Sequence, residues 1–218
     1  MMIERLSLKN FKSIKGEHFD FEGLTLFSGL NGMGKSTALQ SMLLLRQSND
    51  KHLLPDKGIS LTGEYVNIGN GKDLLFSDAN NERIDIGLIW TKSSLDFHFD
   101  YKEQSDMQPI SRNANDIENS PFEESLFTSC FQYLSAERIS PRSTYDVSEY
   151  AVNQRRFLGV KGEFTAHFLA EHGTDNISIS DFRHSNSKTD YLIDNLNAWM
   201  SDITPGTKVI AKLLPEIN

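Results

Sequence analysis

The sequence predicts an α/β fold, and three adjoining observations predict it. Two segments near the N-terminus, IERLSLKNF (Ile3–Phe11) and HFDFEGLTLFSG (His18–Gly29), alternate apolar and polar residues, the period-two signature of strands, one in the first segment and one or two in the second. The second runs straight into a glycine-rich loop, GLNGMGKST (Gly29–Thr37). The loop runs into Lys35–Gln47, a segment of good helix formers. Its apolar residues Ala38, Leu39, Met42, Leu43, Leu44 and Leu45 cover most of the circumference, which predicts a buried helix and not a surface-amphipathic one.

The elements that follow are predicted in order. Residues 59–103 read as an antiparallel meander of roughly four short strands (ISLTGEYVNIG, KDLLFS, RIDIGLIWT, SLDFHFDYK) with turn signals at Asn67–Gly71 and Asp78–Asn81. Residues 104–121 are polar and aperiodic and predict a mobile loop. CFQYLSAE (Cys130–Glu137) reads as an apolar strand. GEFTAHFLAEHG and KTDYLIDNLNAWMSDI read as helices, the second ending just before Thr204-Pro205-Gly206, and TKVIAKLLPEI as a closing strand.

Composition narrows the function. With 218 residues, 38% hydrophobic and 24% charged, the chain suits one domain, or a domain with an insertion, burying roughly 70% of its unfolded surface. No apolar run approaches a membrane span. The N-terminus carries Glu4 and Arg5 where a signal peptide needs apolar residues. The single cysteine, Cys130, has no internal disulfide partner. A cytoplasmic protein with no membrane partner is expected. The net charge of −8 disfavours bulk attraction to a phosphate backbone. The acidic excess sits in residues 51–130, and Arg138–Lys161, mildly basic, is the best local contact for nucleic acid.

The chemistry lies in the loop. Gly29-Leu30-Asn31-Gly32-Met33-Gly34-Lys35-Ser36 fits G-x-x-x-x-G-K-[ST] in full. Glycines let successive backbone N–H groups curl toward phosphate oxygens, and the following helix N-terminus adds positive partial charge. The Lys35 ammonium suits the β- and γ-phosphates, the Ser36 hydroxyl suits Mg²⁺, and Thr37 suits the α-phosphate. With glycine near 7% of residues, a chance match in a chain this long is on the order of one in a hundred. ATP and Mg²⁺ are therefore the expected cofactors. Gly69-Asn70-Gly71-Lys72 lacks the spacing, with Asp73 where Ser or Thr should stand, and reads as a hairpin turn.

LSLKNFKS (Leu6–Ser13) followed by FSGLNGMGKSTALQSMLLLRQ resembles the head of the ABC-type ATPases of the SMC, RecF and OLD kind, most closely their prokaryotic "AAA family" members. LTGEYVNIGNGKDLLF, FQYLSAERISPR and GVKGEFTAHFLAEHG extend the resemblance along nearly the whole chain. It implies a P-loop NTPase fold, an ABC-ATPase-like head lobe into which the meander is inserted. It also implies that Asn10, Phe11, Lys12 and Ser13 lie near the adenine and phosphates, and that Asn31 is the loop Asn of the GxNGxGKS form. Two heads commonly sandwich ATP in this family, so a homodimer through ATP is implied, with DNA or an effector protein as further partners and an output in DNA repair or anti-phage defence.

Glu137 and Arg138 end the predicted strand Cys130–Glu137. Ligands of open α/β sheets bind outside the carboxyl ends of strands, so this pair is the candidate γ-phosphate sensor, in the position of the ABC Q-loop; an ion pair fixing a loop is the alternative. Gln47 ends the buried helix far from the loop and reads as structural.

Hydrolysis in this class also needs an apolar strand ending in Asp-Glu and a signature loop. RIDIGLIW carries its acids at the wrong end, NISISDF is weakly apolar, and VIAKLLPEIN offers a lone Glu216. No LSGGQ-like stretch occurs. Two readings follow. The chain is the ATP-binding N-terminal lobe of a longer ATPase, inactive alone, or it is a nucleotide-gated interaction module that binds ATP without splitting it. A P-loop kinase is disfavoured by the antiparallel-looking strands before the loop and the lack of an arginine-rich lid. His167 and His172, five apart, do not share a helical face, and Asp96, Asp100 and Glu103 read as a solvated strand, so no metal cluster is expected.

Overall fold

A computed structural model describes residues 2–54, 56–111 and 121–213. The chain divides into two compact units, Met1–Phe131 and Gln132–Asn218.

In the first unit, β1 (Ile3–Phe11), β2 (Ile14–Asp20), β4 (Arg83–Trp90) and β5 (Ser93–Asp100) form an antiparallel sheet in the order β2-β1-β4-β5. Leu6 pairs with Phe19 on one side and Leu88 on the other, and Leu88 faces Leu95. Period two decides the faces. Leu6 and Leu8, then Ile84, Ile86, Leu88 and Trp90, then Leu95, Phe97 and Phe99 all point inward and are buried. Helix α1 (Lys35–Asp50) contributes Ala38, Met42, Leu44 and Leu45 to the same core. At about 1.5–3 kcal/mol for each fully buried large apolar side chain, this shared face is what holds the unit together.

As expected, α1 is buried over most of its length, from Ser41 to Ser48 without a break. That burial takes polar groups inside, and each has a partner. Ser48 Oγ donates to Leu44 O at 2.6 Å and accepts from Ser60 N–H at 2.9 Å. Gln47 bonds Ser60 O at 2.8 Å and Val66 N–H at 3.2 Å, a structural role. Arg46 donates to Leu126 O at 2.8 Å and Thr128 O at 2.6 Å, pairs with Asp50 at 3.1 Å and lies over the Phe131 ring.

The structure revises several expectations. Of the predicted meander, RIDIGLIW and SLDFHFD form β4 and β5, but they join β1 and β2 in one sheet. ISLTGEYVNIG contributes only to β3 (Gly58–Ser60), and KDLLFS begins in a single 3₁₀ turn, Gly71–Asp73, tied down by Gly71 N–H to Ser105 O and Lys72 N–H to Glu103 O. Gly69–Lys72 therefore does not turn a hairpin. Within the predicted loop 104–121, β6 (Met107–Pro109) pairs antiparallel with β3, while 112–120 lie outside the described residues. The predicted strand His18–Gly29 stops at Asp20. From residue 21 to 28 the alternation persists, with Phe21, Thr25 and Phe27 half-buried and Leu24 and Leu26 91% and 86% exposed, but no described strand pairs with it.

In the second unit, a π-helical turn (Tyr150–Gln154) precedes α2 (Thr165–His172) and α3 (Leu192–Ile203). Both predicted helices are present. The predicted strand Cys130–Glu137 is not. Leu134 is exposed, and Ser135 N–H bonds Val160 O singly at 2.8 Å with no ladder around it. Residues 207–213 of the predicted closing strand are likewise irregular, and 214–218 lie outside the described residues. Among the described residues, no helix is long and apolar enough to cross a membrane.

Candidate phosphate-binding loop

The loop 29–34 leaves the half-buried Phe27 and enters α1. Three of its glycines hold positive φ: Gly29 at 141°, Gly32 at 83° and Gly34 at 86°, conformations that an L side chain resists. Gly34 has a second constraint. A Cβ there would stand 3.3 Å from Ser13 Oγ and 3.5 Å from Ile14 Cγ1, so the hairpin between β1 and β2 presses directly on the loop's last turn.

Apart from Met33 N–H, which reaches Leu30 O at 3.4 Å, no N–H from Gly29 to Thr37 donates to a backbone carbonyl among the described residues. Helix ends leave their first N–H groups without partners and usually answer with a capping side chain or an acid. Here Gly34 at the cap offers no side chain, and the first turn of α1 contains no acid. The positive end of the helix is uncompensated by the protein, the electrostatic condition for an anion. Lys35 Nζ donates to Gly29 O and Leu30 O, both at 2.7 Å, so its ammonium lies back across the loop it follows. Ser36 and Asn31 are exposed and Thr37 is buried.

The hairpin turn supplies the neighbouring groups. Lys12 Nζ donates to Gln40 Oε1 at 2.9 Å. Lys12 is half-buried, and this desolvation lowers its pKa against the opposing pull of the Asp73 carboxylate. Asn10 is buried, and its side chain is spent inward, donating to Asn81 Oδ1 at 2.8 Å and Arg83 O at 3.0 Å. It holds the hairpin in place and does not point a free amide at the loop. Among the residues expected near the nucleotide, Ser13 thus comes to the loop with its side chain, Lys12 reaches Gln40 in the helix that follows the loop, Asn10 fixes the turn, and Phe11 is a fully buried anchor.

Glu137 and Arg138 belong to the second unit. Glu137 pairs with Lys161 at 2.8 Å, and Arg138 donates to Ser135 O. Arg142 and Arg156 of the mildly basic stretch pair with Asp146 and Asp175 at 3.9 and 3.3 Å. His167 is buried and accepts from Ser148 N–H at 3.2 Å, while His172 bonds Asp175 at 3.0 Å. Among the described residues no group of three or more His, Cys, Asp or Glu could hold a metal.

A glycine loop with these dihedrals, opening a buried helix through unpartnered N–H groups and followed by Lys-Ser, defines a P-loop NTPase. The family model described as AAA ATPase domain matches residues 1–200, and the chain belongs to that family. It is thus an ATP-binding module of the ATPase type, a family in which the nucleotide typically comes with Mg²⁺. A search of the curated proteins finds no match to the chain. The loop is visible in the sequence as a spacing, whereas Gln40 is not. The signal that could have found it is its place four residues after Ser36, on the same helical face.

Proposed function

We propose that the chain is the ATP-binding lobe of an ABC/SMC-like ATPase whose nucleotide drives the pairing of two heads. The observation that carries this is the set of unpartnered N–H groups at an acid-free helix N-terminus beside Lys35. In this reading the backbone of Gly29, Asn31, Gly32 and Gly34 wraps the β-phosphate. Lys35 exchanges its carbonyl partners for phosphate oxygens, Ser36 holds Mg²⁺, Thr37 the α-phosphate, and Lys12 and Ser13 lie beside the nucleotide. The bound Mg²⁺ supplies charge neutralisation along the triphosphate.

Pairing is supported by residues 21–28. Apolar side chains on both faces of an extended segment mark a strand made to be buried on both sides, yet Leu24 and Leu26 face solvent. A packing layer on that face would cover them, and a further strand paired alongside and ending in Asp-Glu would supply the carboxylates that hydrolysis requires. Glu137 and Arg138 are assigned to sensing the γ-phosphate. Homodimeric sandwiching of ATP, contact with DNA or an effector, and a role in repair or anti-phage defence rest on the resemblance of the sequence, since function belongs to sites and not to folds.

The second reading, a nucleotide-gated module that does not hydrolyse ATP, draws on the absence of carboxylate partners for Lys35 among the described residues. Light scattering and phosphate release measured in one sample test both. Mass doubling with Mg-ATP but not Mg-ADP, weakened in Arg138→Ala while binding is spared, supports head pairing. A chain that stays monomeric with saturating Mg-ATP overturns it. Pairing without phosphate release selects the non-hydrolysing module.

A further inference from the structure

The β1–β2 turn is strained and overdetermined at the place where it meets the loop. Asn10 and Lys12 both hold left-handed backbone, with φ of 55° and 53°, unusual for residues other than glycine. Between them Phe11 is fully buried. Lys12 N–H donates to Leu74 O at 2.6 Å, Phe76 N–H to Asn10 O at 3.2 Å, and the Asn10 amide is held by Asn81 and Arg83. Strain of this kind persists where surrounding contacts impose it, and it concentrates at binding sites. Its result here is to lay the Lys12 side chain along the first turns of α1.

What receives that side chain is an amide. Gln40 Oε1 accepts from Lys12 Nζ at 2.9 Å, and Gln40 lies one helical turn after Ser36 on the same face. An amide oxygen holds the ammonium less firmly than a carboxylate would, but it fixes its position and leaves the charge in place. Among the described residues Lys12 makes no ion pair, and Asp73 is the carboxylate whose field reaches it. A half-buried ammonium, short of water and held by a neutral acceptor beside an acid-free helix N-terminus, has its electrostatic demand unmet. Lys35 bonds Gly29 O and Leu30 O across the loop, and Lys12 bonds Gln40 on the helix that the loop opens.

We propose that Gln40 is a positioning residue that keeps the Lys12 ammonium beside the phosphate loop with its charge uncancelled, so that this charge is available to the nucleotide's phosphates. The proposal rests on the reading of Gly29–Thr37 as the phosphate site and adds the group that aims the second cation.

Gln40→Glu is the sharpest test, since it keeps the length and the acceptor but adds a negative charge that cancels Lys12. Mg-ATP affinity is expected to fall about tenfold, and the loss to shrink at high salt, with the thermal midpoint no lower than in the wild type. A merely structural Gln40 would leave affinity unmoved. Gln40→Leu removes the acceptor and is expected to weaken Mg-ATP about threefold, but to cost nothing further in a Lys12→Met background. Wild-type affinity in Gln40→Glu, or equal costs of Gln40→Leu with and without Lys12, would overturn the proposal. Wild-type chain and Lys35→Ala are titrated alongside. Wild-type binding lost in Lys35→Ala isolates any failure to Gln40, whereas no wild-type binding overturns the phosphate-loop reading and this proposal together.

Discussion

The two ends of α1 treat the same problem in opposite ways. Toward its C-terminus the helix buries Ser41, Arg46, Gln47 and Ser48, and each polar group is matched, Arg46 by two carbonyls, a carboxylate and an aromatic face. Toward its N-terminus the helix has no capping side chain and no acid, and its first N–H groups donate to no backbone carbonyl among the described residues. A fold selected for stability alone would give the cap extended backbone and a Ser, Thr, Asp or Asn, worth about a few tenths of a kcal/mol over glycine, where Gly34 holds φ 86°. The difference separates a helix end that serves the core from one left unsatisfied for a ligand, within a single continuous element.

Breaking the structural end has the largest expected effect on stability. Arg46→Met leaves the Leu126 and Thr128 carbonyls without their donor and removes the ion pair with Asp50, and urea unfolding is expected to show a loss of about 2–4 kcal/mol. Whatever chain remains folded is expected to bind Mg-ATP as the wild type does. A loss below about 1 kcal/mol would mean that Arg46 is not the clamp its bonds describe. Gly34→Ala probes the other end. A methyl group at φ 86°, 3.3 Å from Ser13 Oγ, is expected to cost about 1–2 kcal/mol in the same assay, with a much larger proportional loss in nucleotide binding. Equal affinity for Mg-ATP would show that the loop's curl is not needed for phosphate.

The smallest effect concerns Lys12. Its folded-state pKa lies below the ordinary lysine value of 10.5, chiefly through desolvation, so the protonated form is disfavoured by folding. The penalty is present at neutral pH and is relieved as pH rises through the lowered pKa toward 10.5. Relative to Lys12→Met, the wild type should therefore gain stability with rising pH in that alkaline window. Parallel unfolding midpoints of the two chains across it would remove this account of Lys12.

Much of this contrast is legible in the sequence. β1 announces itself by alternation at Leu6 and Leu8, and the loop by its spacing. α1 was readable as buried because its leucines leave no polar face. Residues 21–28 were misread for a physical reason. Their alternation is that of a strand, but a strand also needs a neighbour, and sequence cannot say whether one lies alongside. The same holds for Cys130–Glu137, apolar enough for a ladder but joined to residues 156–161 by single bonds and not by a ladder. β6 was missed because three residues, Met107, Gln108 and Pro109, carry no period, and their pairing with β3 is set by long-range packing. In the site, Lys35 and Ser36 follow from the motif. The inward turn of the Asn10 amide and the Lys12–Gln40 bond depend on a left-handed turn that Asn10 tolerates but that nothing local at Lys12 specifies.

The central claim is that the unpartnered loop end of α1 holds a nucleotide triphosphate. Calorimetric titration of Mg-ATP into the wild-type chain and into Lys35→Ala tests it most directly. Saturable binding by the wild type, weakened at least about a hundredfold in Lys35→Ala with its thermal midpoint unchanged, is the predicted result. Equal affinity in the two chains would contradict the assignment of Gly29–Thr37 as the site.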